Sequence, residues 1–336
     1  MTNDSPPEIS SIELKDIPHL IDCVRRCYGD SYPSEMMYDS ALLKEAIDTK
    51  VMHSVIARHE DGNVIGHCAL TFDGPNNASP EAGKMIVDPD YRGHRIAENM
   101  AQKRIEIAKE LGLPGFWTEC VTNHPFSQHE MLNFGAKETG LLLGVDPASM
   151  MQMQGLENHS DTRMSLLAFY LSLKESKQTV FPPKHHLEFA KSLASMLKIE
   201  RQISVSTHSG DGATQGSTAI DRVEQFAQIN IKHIGKDFDT FVQNELKKLE
   251  PLNMASIYLD LPISQEAAAH AYVELEKLGF FWGSWLPNYL TTGDILRLQK
   301  INQAVNFNEI VTATPHGESI KKYVQSEWLR VSQKNT

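Results

Sequence analysis

Val87-Asp88-Pro89-Asp90-Tyr91-Arg92-Gly93-His94-Arg95-Ile96-Ala97 joins a short apolar run to a helix-periodic one through a basic, glycine-bearing turn. Upstream, Met85-Ile86-Val87 is closed by Asp-Pro and reads as a strand that stops because proline cannot extend a ladder. Downstream, Ala97, Met100, Ala101, Ile105, Ala108 and Leu111 recur at helical spacing, and Gly112 with Pro114 supplies the stop. The spacing predicts a helix that begins within Arg92 to Arg95. The first turn of a helix leaves amides without intrahelical partners at the positive end of the dipole, which suits a phosphate. Gly93 removes a side chain where a ligand would come close, and Arg92 and Arg95 add charge. The turn points to a nucleotide-bearing cofactor.

Working outward, Ile9 to Leu14 reads as a first strand. Leu20, Ile21, Val24 and Cys27 form one side of a helix opened by Asp16-Ile17-Pro18, with Asp16 as its expected cap. A second helix is expected over Ser40 to Ile47. Ser54 to Arg58 and Val64 to Phe72 flank Glu60-Asp61-Gly62-Asn63, a hairpin signal because Asp-Gly supplies a positive φ. After the turn helix come a strand at Phe116 to Val121, a short helix at Phe126 to Phe134 and a strand at Met164 to Leu171.

This order, with the Pro-x-Tyr-Arg-Gly-x-x-Ile-Ala wording, resembles the GNAT superfamily of acetyl-CoA-dependent N-acyltransferases over residues 8 to 174. The family pattern Gln/Arg-x-x-Gly-x-Gly/Ala maps onto Arg92 through Ala97, and Arg95 stands where the family has its second glycine. The resemblance implies an α/β (α+β) GNAT fold, a mixed central sheet flanked by helices. It implies acetyl-CoA, or another acyl-CoA, as donor and no metal. Arg92, Gly93, His94, Arg95, Ile96 and Ala97 would hold the diphosphate, Ile86 and Val87 would offer backbone to pantetheine where two strands splay, and Asn123 would assist.

Acyl transfer to an amine needs a base, an oxyanion site and a proton for the leaving thiolate. By resemblance to ribosomal N-terminal acetyltransferases, Glu119 on the strand after the long helix is the preferred base; Glu81, at the start of the preceding strand, is the other candidate. A carboxylate between Trp117 and Val121 is costly to keep without a partner or a purpose, although strand alternation could turn it to water. Met131 stands where the family's proton-donating Tyr is found, and methionine cannot donate that proton. His124 and His129 lie close in sequence. Cys120 reads as a small strand residue, because a neighbouring carboxylate disfavours the thiolate.

The second half carries no such turn, yet repeats the order. Met254 to Leu261 reads as a strand, Ser264 to Leu278 as a helix, Phe280 to Leu286 as a strand ended by Pro287, and Ile295 to Ile301 as the last strand. Ser127-Gln128 and Ser264-Gln265 share a helix start. A degenerate duplication follows: residues 1–174 as an acyl-CoA-binding acetyltransferase domain and 175–336 as a GNAT-like domain without the phosphate turn, joined near Lys174 to Pro183. Strands are expected at Gln202 to Val205 and Ile220 to Ile234 around a Ser206 to Ser217 loop, and helices at Leu187 to Leu197 and Gly317 to Val331. His185-His186 reads as capping or exposed, not as a metal site.

The chain has 336 residues, 32 basic against 43 acidic, for a net charge of −11, and is 41% hydrophobic. Length and core content permit two domains. The acidity disfavours nucleic-acid or anionic-membrane partners and favours an amine acceptor, a small molecule or a peptide. Four cysteines without metal spacing, a polar N-terminus and no membrane-length apolar run suggest a cytoplasmic protein. The second domain would shape the acceptor site or pair subunits as a homodimer. Two other classes remain open: a non-catalytic acyl-CoA-binding regulator, which Met131 and Arg95 would permit, and an interaction scaffold that holds no CoA.

Overall fold

The computed structural model describes residues 6–148 and 161–334. By their internal contacts the described residues group into two compact units: 6–118 with 148, and 119–147 with 161–334. These units do not coincide with 1–174 and 175–336, because the strands after residue 118 pack with the second half.

The first unit runs β1 (Glu8–Ser11), α1 (Ile17–Tyr28), α2 (Ser40–Asp48), β2 (Met52–Arg58), β3 (Val64–Thr71), β4 (Glu81–Val87), α3 (Ile96–Glu110) and the start of β5 (Gly115–Val121). Strands β1 to β4 pair antiparallel in sequence order, and β4 meets β5 in parallel. Helices cover both faces. Leu20, Val24 and Leu43 of α1 and α2 pack with Ile56 and Ile86, while Ile96 and Met100 of α3 pack with Val55, Ala57, Ile65 and Cys68. With water excluded from both sides, β2 and β3 read as nearly continuous apolar runs. Each large side chain so buried contributes about 1.5–3 kcal/mol. At Gly66 α3 packs tightly: a Cβ there would lie 2.9 Å from the Met100 Cε. Gly62 turns the β2–β3 hairpin with φ +89°, as its Asp-Gly predicts. Asp16 precedes α1 but does not cap it; its carboxylate takes the Glu13 amide at 2.9 Å and Arg58 at 2.8 Å. β1 ends at Ser11, short of the expected Leu14.

The second unit contains the end of β5, then α4 (Phe126–Asn133), β6 (Lys137–Asp146), β7 (Met164–Ser172), β8 (Gln178–Val180), α5 (Leu187–Leu197), β9 (Arg201–Ile203), β10 (Gln215–Asp221), β11 (Phe226–His233), α6 (Phe238–Leu249), β12 (Ser256–Pro262), α7 (Ala268–Lys277), β13 (Phe281–Leu290), β14 (Gly293–Ile301) and α8 (Pro315–Lys334). Its main sheet is ordered β7-β6-β13-β14-β12-β11-β10, and β8 pairs with β9 apart from it. The hairpin β10–β11, the helix α6, the strand β12 parallel to β11, then α7, β13 and β14 repeat the sequence of elements from β3 to β7. Gly140 of β6 meets Ser284 of β13, where a Cβ would fall 2.2 Å from the Gly283 carbonyl.

Four further expectations need correction. Residues 220–234 are not one strand: the chain reverses between β10 and β11, where Asp221 accepts from the Val223 and Glu224 amides and Gln225 takes φ +51°. Pro287 does not end β13, because it sits where the ladder with β14 opens between Leu286 and Leu290. Ser264-Gln265 precede α7 by three residues, whereas Ser127-Gln128 lie inside α4. His185 is exposed as expected, but His186, at the N-cap position of α5, makes no side-chain cap bond: it is fully buried, its ring bonded to the Tyr272 and Tyr323 hydroxyls. No described helix is long and apolar enough to cross a membrane.

Candidate functional site

The turn after β4 is shaped by Asp88. Its carboxylate is buried, takes Arg26 Nε of α1 at 2.5 Å and accepts the Asp90 amide at 3.2 Å, closing a single 3-10 turn over Pro89–Tyr91. Arg92 is then extended and its Nε donates to the Val87 carbonyl at 3.2 Å. Gly93 has φ +84°, and a Cβ there would meet nothing within 4 Å. Arg95 has φ +58° and immediately precedes α3, which starts at Ile96 with no side-chain cap. That left-handed backbone explains why a glycine suits this position. The Arg95 side chain is 75% exposed and forks onto Glu98 with two contacts of 2.6 Å, so it leaves the turn clear. Gly93 and His94 are exposed, Ile96 is buried under the helix, and Ala97 is half-buried. Among the described residues no partner bonds the amides of Gly93, His94 or Arg95. An open glycine, an uncapped helix start and the Arg92 guanidinium fit a diphosphate.

Along β4, Ile86 is buried and pairs with His67, and Val87 pairs with Gly66, both on the β3 side. On the other side one ladder pair, Glu81 with Trp117, joins β4 to β5 among the described residues, together with the Trp117 amide on the Pro80 carbonyl at 3.1 Å. Glu81 is half-exposed and its carboxylate folds over Gly83, where a Cβ would come within 2.9 Å of Oε1.

In the second unit Glu119 is not turned freely to water: its side chain is 17% exposed and Oε1 receives Arg297 Nη1 at 3.3 Å. Arg297 is buried and forks onto Asp260, Nε to Oδ1 at 2.8 Å and Nη2 to Oδ2 at 3.0 Å. Burial works against its charge, but Asp260 outweighs burial and pushes the guanidinium well above its ordinary value. Past β5, the loop leading into α4 buries three polar atoms that no described residue satisfies: Asn123 Oδ1, His124 Nδ1 and Ser127 Oγ. Buried polar atoms without partners are uncommon and point to a missing ligand or water. Burial also lowers the His124 pKa. Met131 is buried, and the four cysteines are buried and in no disulfide. Neither Arg297 nor Asp260 was singled out from the sequence. The signal was present, since both are charged residues inside apolar strands.

The counterpart turn, between β11 and α6, is filled by the chain itself. Thr214 Oγ1 takes the Gly235 amide at 3.1 Å, the Gly212 carbonyl takes the Lys236 amide at 3.0 Å, and Asp237 holds the Thr214 amide at 2.7 Å. A Cβ on Gly235 would lie 2.3 Å from the Thr214 nitrogen. No space is left for an anion.

Among the described residues, His185, His186 and Glu327 are grouped closely enough to hold a metal ion. Their donors are already engaged, by the two tyrosines on His186 and by Arg330 on Glu327. A groove of about 710 Å³ in this unit is lined by Lys247, Asn253, Lys300 and Gln303 among others, and includes neither Glu119 nor Asn123.

A strand–turn–helix unit with an open glycine and an uncapped helix start is an arrangement that can take an anion. Residues 17–135 match the model of the Acetyltransferase (GNAT) family, and this part of the chain is a GNAT acetyltransferase domain. A comparison with curated proteins finds no match. Similar solved structures include a spermidine N-acetyltransferase SpeG chimera from Vibrio cholerae and hSSAT, at 16% identity and TM-score 0.39, covering 50% of this chain and 96% of that one. The phosphinothricin acetyltransferase Pat from Sinorhizobium meliloti, in complex with AcCoA, has 16% identity and TM-score 0.41 over 51% and 91% of the two chains. The ribosomal-protein-S5-alanine acetyltransferase from Vibrio fischeri has 11% identity and TM-score 0.39 over 50% and 96%. Likeness of this extent carries no argument about the acceptor.

Proposed function

We propose that the protein transfers an acetyl group from acetyl-CoA to an amine by direct attack. The observation that carries this reading is the β4–α3 turn, where a clear glycine, an uncapped helix start and Arg92 suit a diphosphate. Ile86 and Val87 lie on the strand that would meet pantetheine, and the unsatisfied Asn123 Oδ1 suits an amide donor from it. Glu119 is the preferred base, held by Arg297; Glu81, half-exposed over Gly83, is the second candidate. Among the described residues Met131 leaves the family's tyrosine position without a proton donor, so water would return the proton to the thiolate. The acceptor is a small-molecule or peptide amine, in keeping with the net charge of −11. We further propose that residues 175–336 are a degenerate copy of the fold that no longer holds a donor, and that the protein works in the cytoplasm.

The test is CoA release from acetyl-CoA across a panel of primary amines, with Glu119→Gln and Glu81→Gln beside wild type. Turnover lost in Glu119→Gln with acetyl-CoA binding kept supports the reading. A non-catalytic acyl-CoA-binding regulator is the second reading, favoured by buried Met131 and by the arginine on Glu119. It wins if acetyl-CoA binds and no amine in the panel releases CoA. Absence of acetyl-CoA binding would leave an interaction scaffold.

A further inference from the structure

The ladder between β12 and β14 sets Asp260 directly opposite Arg297, so their ion pair is built into strand register. Two guanidinium nitrogens are spent on the two Asp260 oxygens, and the third, Nη1, reaches Glu119. Gln228 of β11 donates to Asp260 Oδ2 at 2.8 Å, and the Tyr289 ring lies 5.6 Å from the guanidinium carbon. Side-chain exposure falls from 17% at Glu119 to 5% at Arg297 and 4% at Asp260. Glu119 and Asp260 are also the fifth residues of two seven-residue strands that occupy the same place in the repeated order of elements.

We infer that Arg297 is a positioning residue for Glu119: the second half of the chain supplies the guanidinium that fixes the carboxylate on β5. The inference rests on the reading of Glu119 as the base. A buried guanidinium needs a counterion, and Asp260 supplies one; the contact with Glu119 is additional to that requirement. Forked to Asp260 and packed on Tyr289, Arg297 cannot swing, so a charge-assisted hydrogen bond from it sets where the Glu119 oxygens point. The duplicated half, having closed its own anion turn, then serves the first half through the strand position that matches Glu119.

The experiment uses the full chain labelled with carbon-13 at its glutamate carboxyls, with the Glu119 signal identified by its loss in Glu119→Gln. Its titration is followed in wild type, in Asp260→Asn and in the double variant Arg297→Gln/Asp260→Asn, which removes the cation without leaving Asp260 charged and unpaired. Expected is a Glu119 midpoint about one pH unit or more higher in the double variant and a lower one in Asp260→Asn, where the guanidinium is left to Glu119. Coincident midpoints in the folded proteins overturn the inference. Should the double variant fail to melt cooperatively, Asp260→Asn and Arg297→Lys against wild type decide by the same criterion. The readout needs neither donor nor acceptor, so its failure is distinct from failure of the Glu119→Gln turnover test.

Discussion

The turns before α3 and α6 occupy the same place in two similar runs of elements and have opposite fates. Residues 88–95 form a long turn whose glycine faces open space and whose Gly93, His94 and Arg95 amides have no partner among the described residues. Residues 234–237 form a short one whose amides are bonded by Thr214 and Gly212. The lesson is that a strand–turn–helix frame leaves donors at the helix start, and a chain can satisfy them with a ligand or with its own loop. Only the first arrangement leaves room for an anion.

The largest expected effect concerns what the two units share. Each buries one neutral imidazole, His67 and His186, and burial holds both at about 3, below the roughly 6.5 of an unfolded chain. Between those values the unfolded state binds more protons, so stability is fully present above pH 6.5 and declines as pH falls toward 3. Each histidine accounts for about 1.4 kcal/mol per pH unit in that window, so the pair contributes roughly 4 kcal/mol between pH 6.5 and 5. Urea unfolding at pH 7 and 5 measures the gap, and His67→Gln should halve it. Equal stability at both pH values would contradict the burial of neutral rings.

Next in size is Gly93→Val. A β-branched residue at φ +84° costs about 1–2 kcal/mol or more, and its methyl groups would enter the anion space. Acetyl-CoA affinity by calorimetry should drop by at least about tenfold; unchanged affinity would place the donor elsewhere. Thr214→Ala removes the hydroxyl that satisfies the Gly235 amide and should lower stability by about 1–2 kcal/mol without creating a second acetyl-CoA site. A second equivalent bound would break the contrast between the turns. The smallest effect is expected from Arg95→Gly. Relief of the left-handed backbone should stabilise by roughly 0.5–1 kcal/mol, with binding changed less than about threefold, because the side chain leaves the turn and pairs with Glu98. A large loss of binding would show that this guanidinium grips the donor.

Most of the first half was legible because its punctuation is local. Asp61-Gly62 fixed the hairpin, Asp88-Pro89 ended a strand, and Gly112 ended a helix. The second half hid α6 and the β10–β11 reversal, since Asp221 to Gln225 carries no Gly, Pro or Asn; the Asp221 carboxylate does the turning. The glycine turn before α3 could be read from residue order, but the outward path of Arg95 depends on backbone conformation. Glu119 was legible as a charge in an apolar strand, whereas its tie to Arg297, 178 residues away, depends on tertiary folding.

Calorimetric titration of the full-length protein with acetyl-CoA tests the contrast between the two turns most directly. The account predicts one equivalent per chain, lost in Gly93→Val and kept in Thr214→Ala. Two equivalents, or one that survives Gly93→Val, would contradict it.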